Sequence, residues 1–292
     1  MPWQSLLETR DRLPAANLDD WYAALLERAG DTTPFALAVL GGRLAATPGL
    51  AFLAGYQGAL RALWPAAPRS LGALCVTENR STRPADLHTR LSGLHLSGRK
   101  DFVTAAEAAD WLLVAARVEE QGAPRLALGV VRSGAPGARI EALPALPLMP
   151  DIGHARLHLD NALCELLPGD GWDSYVKPFR SIEDLHVLAA LSAWLYGVGQ
   201  DGGWPQELRL RLLGLLAGCA EVARHGASEP ATHLLLAGLF AQFQALRAEL
   251  DAAVAAGPQP WAALWARDRN LLEVAGAARA KRLEKAWAAL QL

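Results

Sequence analysis

Hydrophobic positions along the 292-residue chain change their spacing twice. In residues 1–66 they recur every three or four positions, the period of helices with one buried face. Asn17-Leu18-Asp19-Asp20 reads as a cap ahead of WYAALLERAG, and Gly30 supplies a stop. PFALAVLGGRLAAT and GLAFLAGYQGALRALW predict further helices, and Pro65 and Pro68 close this zone. From about Leu71 to Asp160 the text breaks into short runs, LGALCVTE, LSGLHLSG, DFVTAA, DWLLVAARV and RLALGVV, each bounded by Gly, Pro or charge. That texture predicts strands in a compact antiparallel sheet or barrel, with turn signals at Gly93, Gly98, Gly122 and Pro136-Gly137.

From about Phe179 helical spacing returns in four segments separated by Gly and Pro. They begin at IEDLHVLAALSAWLYGVG, PQELRLRLLGLLAGCAEVARHG, EPATHLLLAGLFAQFQALRAELDAAVAAG and PWAALWARDRNLLEVAGAARA, and suit a four-helix bundle. The third is apolar nearly all round, which predicts a second face packed on another subunit. The fold class is therefore α+β, mainly α. Residues 1–70 form an N-terminal helical domain, 71–175 a β-domain and 176–292 a C-terminal helical bundle.

Charge narrows the partners. With 28 Lys and Arg against 30 Asp and Glu, nothing draws the chain to nucleic acid or anionic lipid. The Leu234–Leu239 run is interrupted by Gln242, Gln244 and Arg247, well short of a span of about 20 residues. The N-terminal MPWQSLLETRDRL carries acids and no apolar h-region, so no signal peptide or anchor is expected. Cys75, Cys164 and Cys219 lack disulfide or zinc spacing and suit free thiols in a reducing cytoplasm.

Two motifs stand in the strand-like text. One is Leu74-Cys75-Val76-Thr77-Glu78; the other is Gly98-Arg99-Lys100-Asp101-Phe102-Val103-Thr104, followed by Ala109-Asp110-Trp111 and Ala115-Ala116-Arg117. The first resembles the strand ending in Thr-Glu-Pro of the acyl-CoA dehydrogenases. The second is similar to that family's Gly-x-Lys, aromatic-Ile-Thr and Ala-Asp…Ala-Arg run. Leu167-Pro168-Gly169-Asp170-Gly171 looks like the exit from its β-domain, so the likeness covers roughly residues 70–200.

This resemblance implies an FAD-dependent oxidation of an acyl-CoA or related thioester, in a homodimer or homotetramer. Thr77 and Thr104 would bond the flavin ring and Phe102 would flank it; without the resemblance, the threonines read as β-formers and Phe102 as core. The family's Gly-Ser-Asp loop is replaced by Asn79-Arg80-Ser81-Thr82-Arg83-Pro84-Ala85-Asp86. Asp86 matches its Asp, and Ser81 or Thr82 its Ser, as substrate-binding candidates, while Arg80 and Arg83 read as a solvated pair or as meeting a phosphate or an acid.

Other features depart from the family. Its Arg-x-x-Phe-Gly and Gln-x-x-Gly-Gly segments, which grip the pyrophosphate and adenosine, are missing. Trp265-Ala266-Arg267-Asp268 is similar to the family's Arg-Asp, yet Ala275-Gly276-Ala277-Ala278 stands where most members carry the catalytic carboxylate. Some branches place that base on the first bundle helix, where Glu183 is the candidate; a Glu there also suits the helix dipole. His186 reads as a core histidine. His154 and His158, about 13 Å apart on a strand, form no metal pair. Arg279–Lys285 reads as a cationic helix face. Two functions follow: a flavin-dependent acyl-CoA oxidoreductase, or a catalytically inactive relative acting as an assembly or regulatory subunit.

Overall fold

The computed structural model describes residues 2–118 and 125–291. Three helices open the chain, α1 (Leu18–Ala29), α2 (Pro34–Leu44) and α3 (Pro48–Leu63). Asn17, Thr33 and Thr47 each cap a helix by accepting a backbone N–H three residues on. Gly30 ends α1 as its spacing suggests.

Among the described residues eight strands follow: β1 (Gly72–Cys75), β2 (Arg90–Ser92), β3 (His95–Thr104), β4 (Trp111–Val118), β5 (Arg125–Arg132), β6 (Ala138–Ala142), β7 (His154–Leu163) and β8 (Glu165–Leu166). They form one curled sheet in the order β6-β7-β3-β2-β4-β5-β8, with β1 also on β4. The expected antiparallel sheet is in fact mixed. β1 and β2 both run parallel to β4, end to end along one of its edges, while the other described pairings are antiparallel. Trp111–Ala116 of β4 are buried without alternation because helices cover one face of the strand and the curled sheet encloses the other. Gly98 is not a turn: it lies inside β3 at a register shift, with φ +145°. Gly122 lies outside the described residues.

A π-helical turn (Gly171–Val176) leads into α4 (Lys177–Asp201), followed by α5 (Gln206–Val222) and α6 (Pro230–Ala255). The fourth predicted segment is two helices, α7 (Gln259–Asp268) and α8 (Gly276–Leu290). The break arises where Leu271 and Leu272 turn inward as a 3-10 turn and become buried. Only one stripe of α6 is buried, from Thr232 through Phe243 to Val254, and Leu235 remains exposed.

Helices α2 and α3 lie directly against α4. A Cβ at Gly42 would sit 2.1 Å from the Ala190 carbonyl oxygen, and one at Gly55 would sit 2.7 Å from the Val187 Cα. Glycine is what permits this approach. Tyr56, Leu60, Trp111, Leu113 and Phe179 then form a core between helices and sheet. Burying each such side chain stabilises the fold by about 1.5–3 kcal/mol. This joint fixes the distance between the sheet and α4, and a cleft lies beside it.

Candidate functional site

The sheet wall of the cleft is built by β3. A register shift between Lys100 and Val103 re-aims the strand, so Phe102 and Thr104 line the cleft while Val103 is buried. Phe102 is 45% exposed, unusual for so large an apolar ring, and it faces open space. Beneath this wall the Lys100 ammonium, wholly buried, donates to Glu78 Oε1 at 2.6 Å and to the Val76 carbonyl at 3.2 Å. Glu78 also accepts from the backbone N–H groups of His88 and Thr89. Burial alone would raise the Glu78 pKa, but the ammonium and these donors hold it below the ordinary carboxylate range. The Asp101 N–H donates to the Thr77 carbonyl at 2.9 Å, so Thr77 is tied to β3 beside Phe102.

The opposite wall is helical. Asp170 caps the π-helical turn, accepting from the Trp172 and Asp173 N–H groups, and the chain enters α4 with Phe179, Arg180 and Glu183 turned to the cleft. Burial first, then the neighbouring Asp184 charge, pushes the Glu183 carboxyl up to about 8, partly offset by Arg282 and Arg180. Asp184 itself points away, bound to Arg279 at 2.9 Å and to Arg282. Arg180 donates to the Thr82 hydroxyl and lies over the Trp172 ring at 5.1 Å. From α3, the Tyr56 hydroxyl accepts the Leu74 N–H at 2.8 Å; burial raises its pKa, and Glu183 adds to this.

Thr77, Phe102, Thr104 and Glu183, named from separate parts of the sequence, thus line one cleft of about 410 Å³. Ser81 and Asp86 do not line it. The Ser81 hydroxyl donates to Asp86 at 2.6 Å on the adjoining loop, and Thr82 takes the place at the wall. Tyr56, Arg180 and Met149, which also line the cleft, carry no motif that would single them out in sequence. His154 lines the cleft too, its Nδ1 2.9 Å from the Ile152 carbonyl and its pKa lowered by burial, whereas His158 meets Glu141. His186 is buried, bonded to the Ile182 carbonyl and packed edge-on against Phe35. Among the described residues no group of three or more His, Cys, Asp or Glu is arranged to hold a metal ion.

A flavin ring is a flat apolar body with a polar edge. The walls fit such a ring, since Phe102, Leu74 and Val76 supply apolar surface while Thr77 and Thr104 supply hydroxyls beside it.

No protein-family profile and no curated protein matches the sequence. Solved structures do match over nearly the whole chain, and they give it the acyl-CoA dehydrogenase fold. Dibenzothiophene monooxygenase from a Paenibacillus species superposes with a TM-score of 0.70 at 15% identity, over 99% of this chain and 95% of that one. Butyryl-CoA dehydrogenase from Megasphaera elsdenii gives 0.68 at 12% identity, over 99% and 96%. FkbI, a protein for biosynthesis of a methoxymalonyl extender unit, gives 0.60 at 20% identity, over 100% and 99%. The Paenibacillus monooxygenase has also been solved with FMN bound.

Proposed function

We propose that the chain is an acyl-CoA dehydrogenase-like flavoprotein that binds FAD in this cleft and oxidises the Cα–Cβ bond of an acyl-CoA or related thioester. The observation that carries the reading is the meeting of Thr77, Thr104, Phe102 and Glu183 at one cleft. FAD, when bound, supplies the acceptor for the hydride leaving Cβ. Glu183 takes the Cα proton on its carboxylate, and a pKa near 8 makes it a stronger base than an ordinary Glu. Thr77 and Thr104 bond the ring edge, and Phe102 closes one side against water. The exposed face of α6 around Leu235 suits a homodimer or homotetramer.

Two features favour a second reading, a non-catalytic relative serving as an assembly or regulatory subunit. No carboxylate stands at Ala275–Ala278, and the pyrophosphate- and adenosine-binding motifs are missing. The visible spectrum decides between the two. Purified protein titrated with FAD, and separately with FMN, is expected to bind FAD and show flavin bands. Binding of FMN alone keeps the flavoprotein and overturns the choice of cofactor; binding of neither leaves the non-catalytic reading.

A further inference from the structure

We infer that the acyl group taken by this site is compact and that Met149 sets its limit, an inference that rests on the reading above. A second hollow of about 190 Å³ lies beyond the cleft, and Met149, Glu183 and Val274 line both. The smaller hollow is walled mainly by apolar groups, including Phe52 of α3, Val187 of α4, and Leu271 and Leu272 of the 3-10 turn. Because Glu183 and Met149 line both hollows, a substrate with its Cα against Glu183 meets Met149 as its tail enters the smaller one. Leu271 and Leu272 are buried and floor the hollow, whereas Val274 is 76% exposed. A short tail is therefore enclosed, and a long one runs out past Val274 into water.

Met149 is held in place against its own preference. Its φ is +46°, and it precedes Pro150, which pushes a residue towards extended backbone. Asp268, 1% exposed at the end of α7, accepts the Met149 N–H at 2.8 Å. Arg267 donates to Asp268 at 2.6 Å and to Asp151 at 3.2 Å, and Asp151 accepts the hydroxyl of Thr47, the cap of α3. The loop between β6 and β7 is thus pinned to both α7 and α3, with Leu146, Leu148 and Met149 turned to the cleft. A residue whose backbone is held by this much structure, and which lines both hollows, is placed to select substrates by size.

The test is a binding series, read by titration calorimetry on the FAD-loaded protein under anaerobic conditions. The probes are CoA, acetyl-, butyryl-, hexanoyl-, octanoyl- and palmitoyl-CoA. Affinity is expected to tighten about fourfold per methylene (~0.8 kcal/mol) while the tail is being enclosed, then to level off before palmitoyl. Met149→Ala should move the plateau to longer chains and Met149→Phe to shorter ones, with CoA affinity unchanged. Affinity that is flat across the series, or that climbs steadily to palmitoyl, overturns the inference and leaves the proposed function standing. So does an unmoved plateau in Met149→Ala that keeps the wild-type circular dichroism. Failure of CoA and every acyl-CoA to bind overturns both.

Discussion

The two walls of the cleft are made in opposite ways. The sheet wall draws Leu74, Thr77, Phe102 and Thr104 from about thirty consecutive residues, set by strand alternation, one register shift and the buried Glu78–Lys100 pair. The helical wall gathers Tyr56, Met149, Glu183 and Val274 from four distant places. Local backbone periodicity fixes the first, while close helix packing at Gly42 and Gly55 and a pinned loop fix the second. Side chains of the sheet wall thus stand in a readable motif, while those of the helical wall meet the cleft without one.

Substitutions on each wall put this contrast at risk. Glu183→Gln is expected to slow anaerobic bleaching of the flavin by butyryl-CoA by about 10²–10⁴-fold, with flavin binding retained. Undiminished bleaching would remove the helical wall from the chemistry.

Lys100→Met should cost about 3–5 kcal/mol in denaturant unfolding, because it leaves the buried Glu78 carboxylate without its cation. Weakened FAD binding should accompany the loss, through release of Thr77. A cost under about 1 kcal/mol would mean that the sheet wall does not depend on this pair.

The pH dependence of Glu183 separates the walls further. Its folded pKa, near 8, lies above the unfolded value of 4.5, so the folded state keeps a proton that the unfolded state releases. Stability contributed by this group is therefore present below about pH 4.5 and is lost as pH rises towards 8. Glu183→Gln should accordingly stabilise the protein by a few kcal/mol at pH 9 and by little at pH 4.5, as read from thermal unfolding across pH. Over the same range the bleaching rate of the wild type should rise with pH through about 8, as the carboxylate forms.

The smallest effect belongs to neither wall. Arg211 of α5 donates to both Glu249 oxygens of α6 at 2.7 and 2.8 Å, in a largely exposed pair. Arg211→Ala should change stability by only about 0.2–1 kcal/mol and leave flavin binding untouched. A change in flavin affinity there would show that the bundle surface is coupled to the cleft.

The order of helices, strands and bundle is legible in the chain because periods of three to four and of two leave direct marks on the text. Asn17 and Gly30 mark the ends of α1 for the same local reason. The parallel pairings on β4 were not legible, since strand direction depends on where chain ends meet in space. Nor was the break between α7 and α8, where Leu271 and Leu272 satisfy the helical pattern yet bury themselves better out of it.

By itself the sequence determined which segments curl or extend, and it singled out Thr77, Phe102, Thr104 and Glu183 as candidates. Only the tertiary structure decided that these four share a cleft, that Ser81 and Asp86 bond each other instead, and that Tyr56, Arg180 and Met149 complete the walls. The reason is physical. Propensity and periodicity act between neighbours along the chain, whereas a cleft is the space left where distant surfaces fail to close, and its lining is set by how closely they pack.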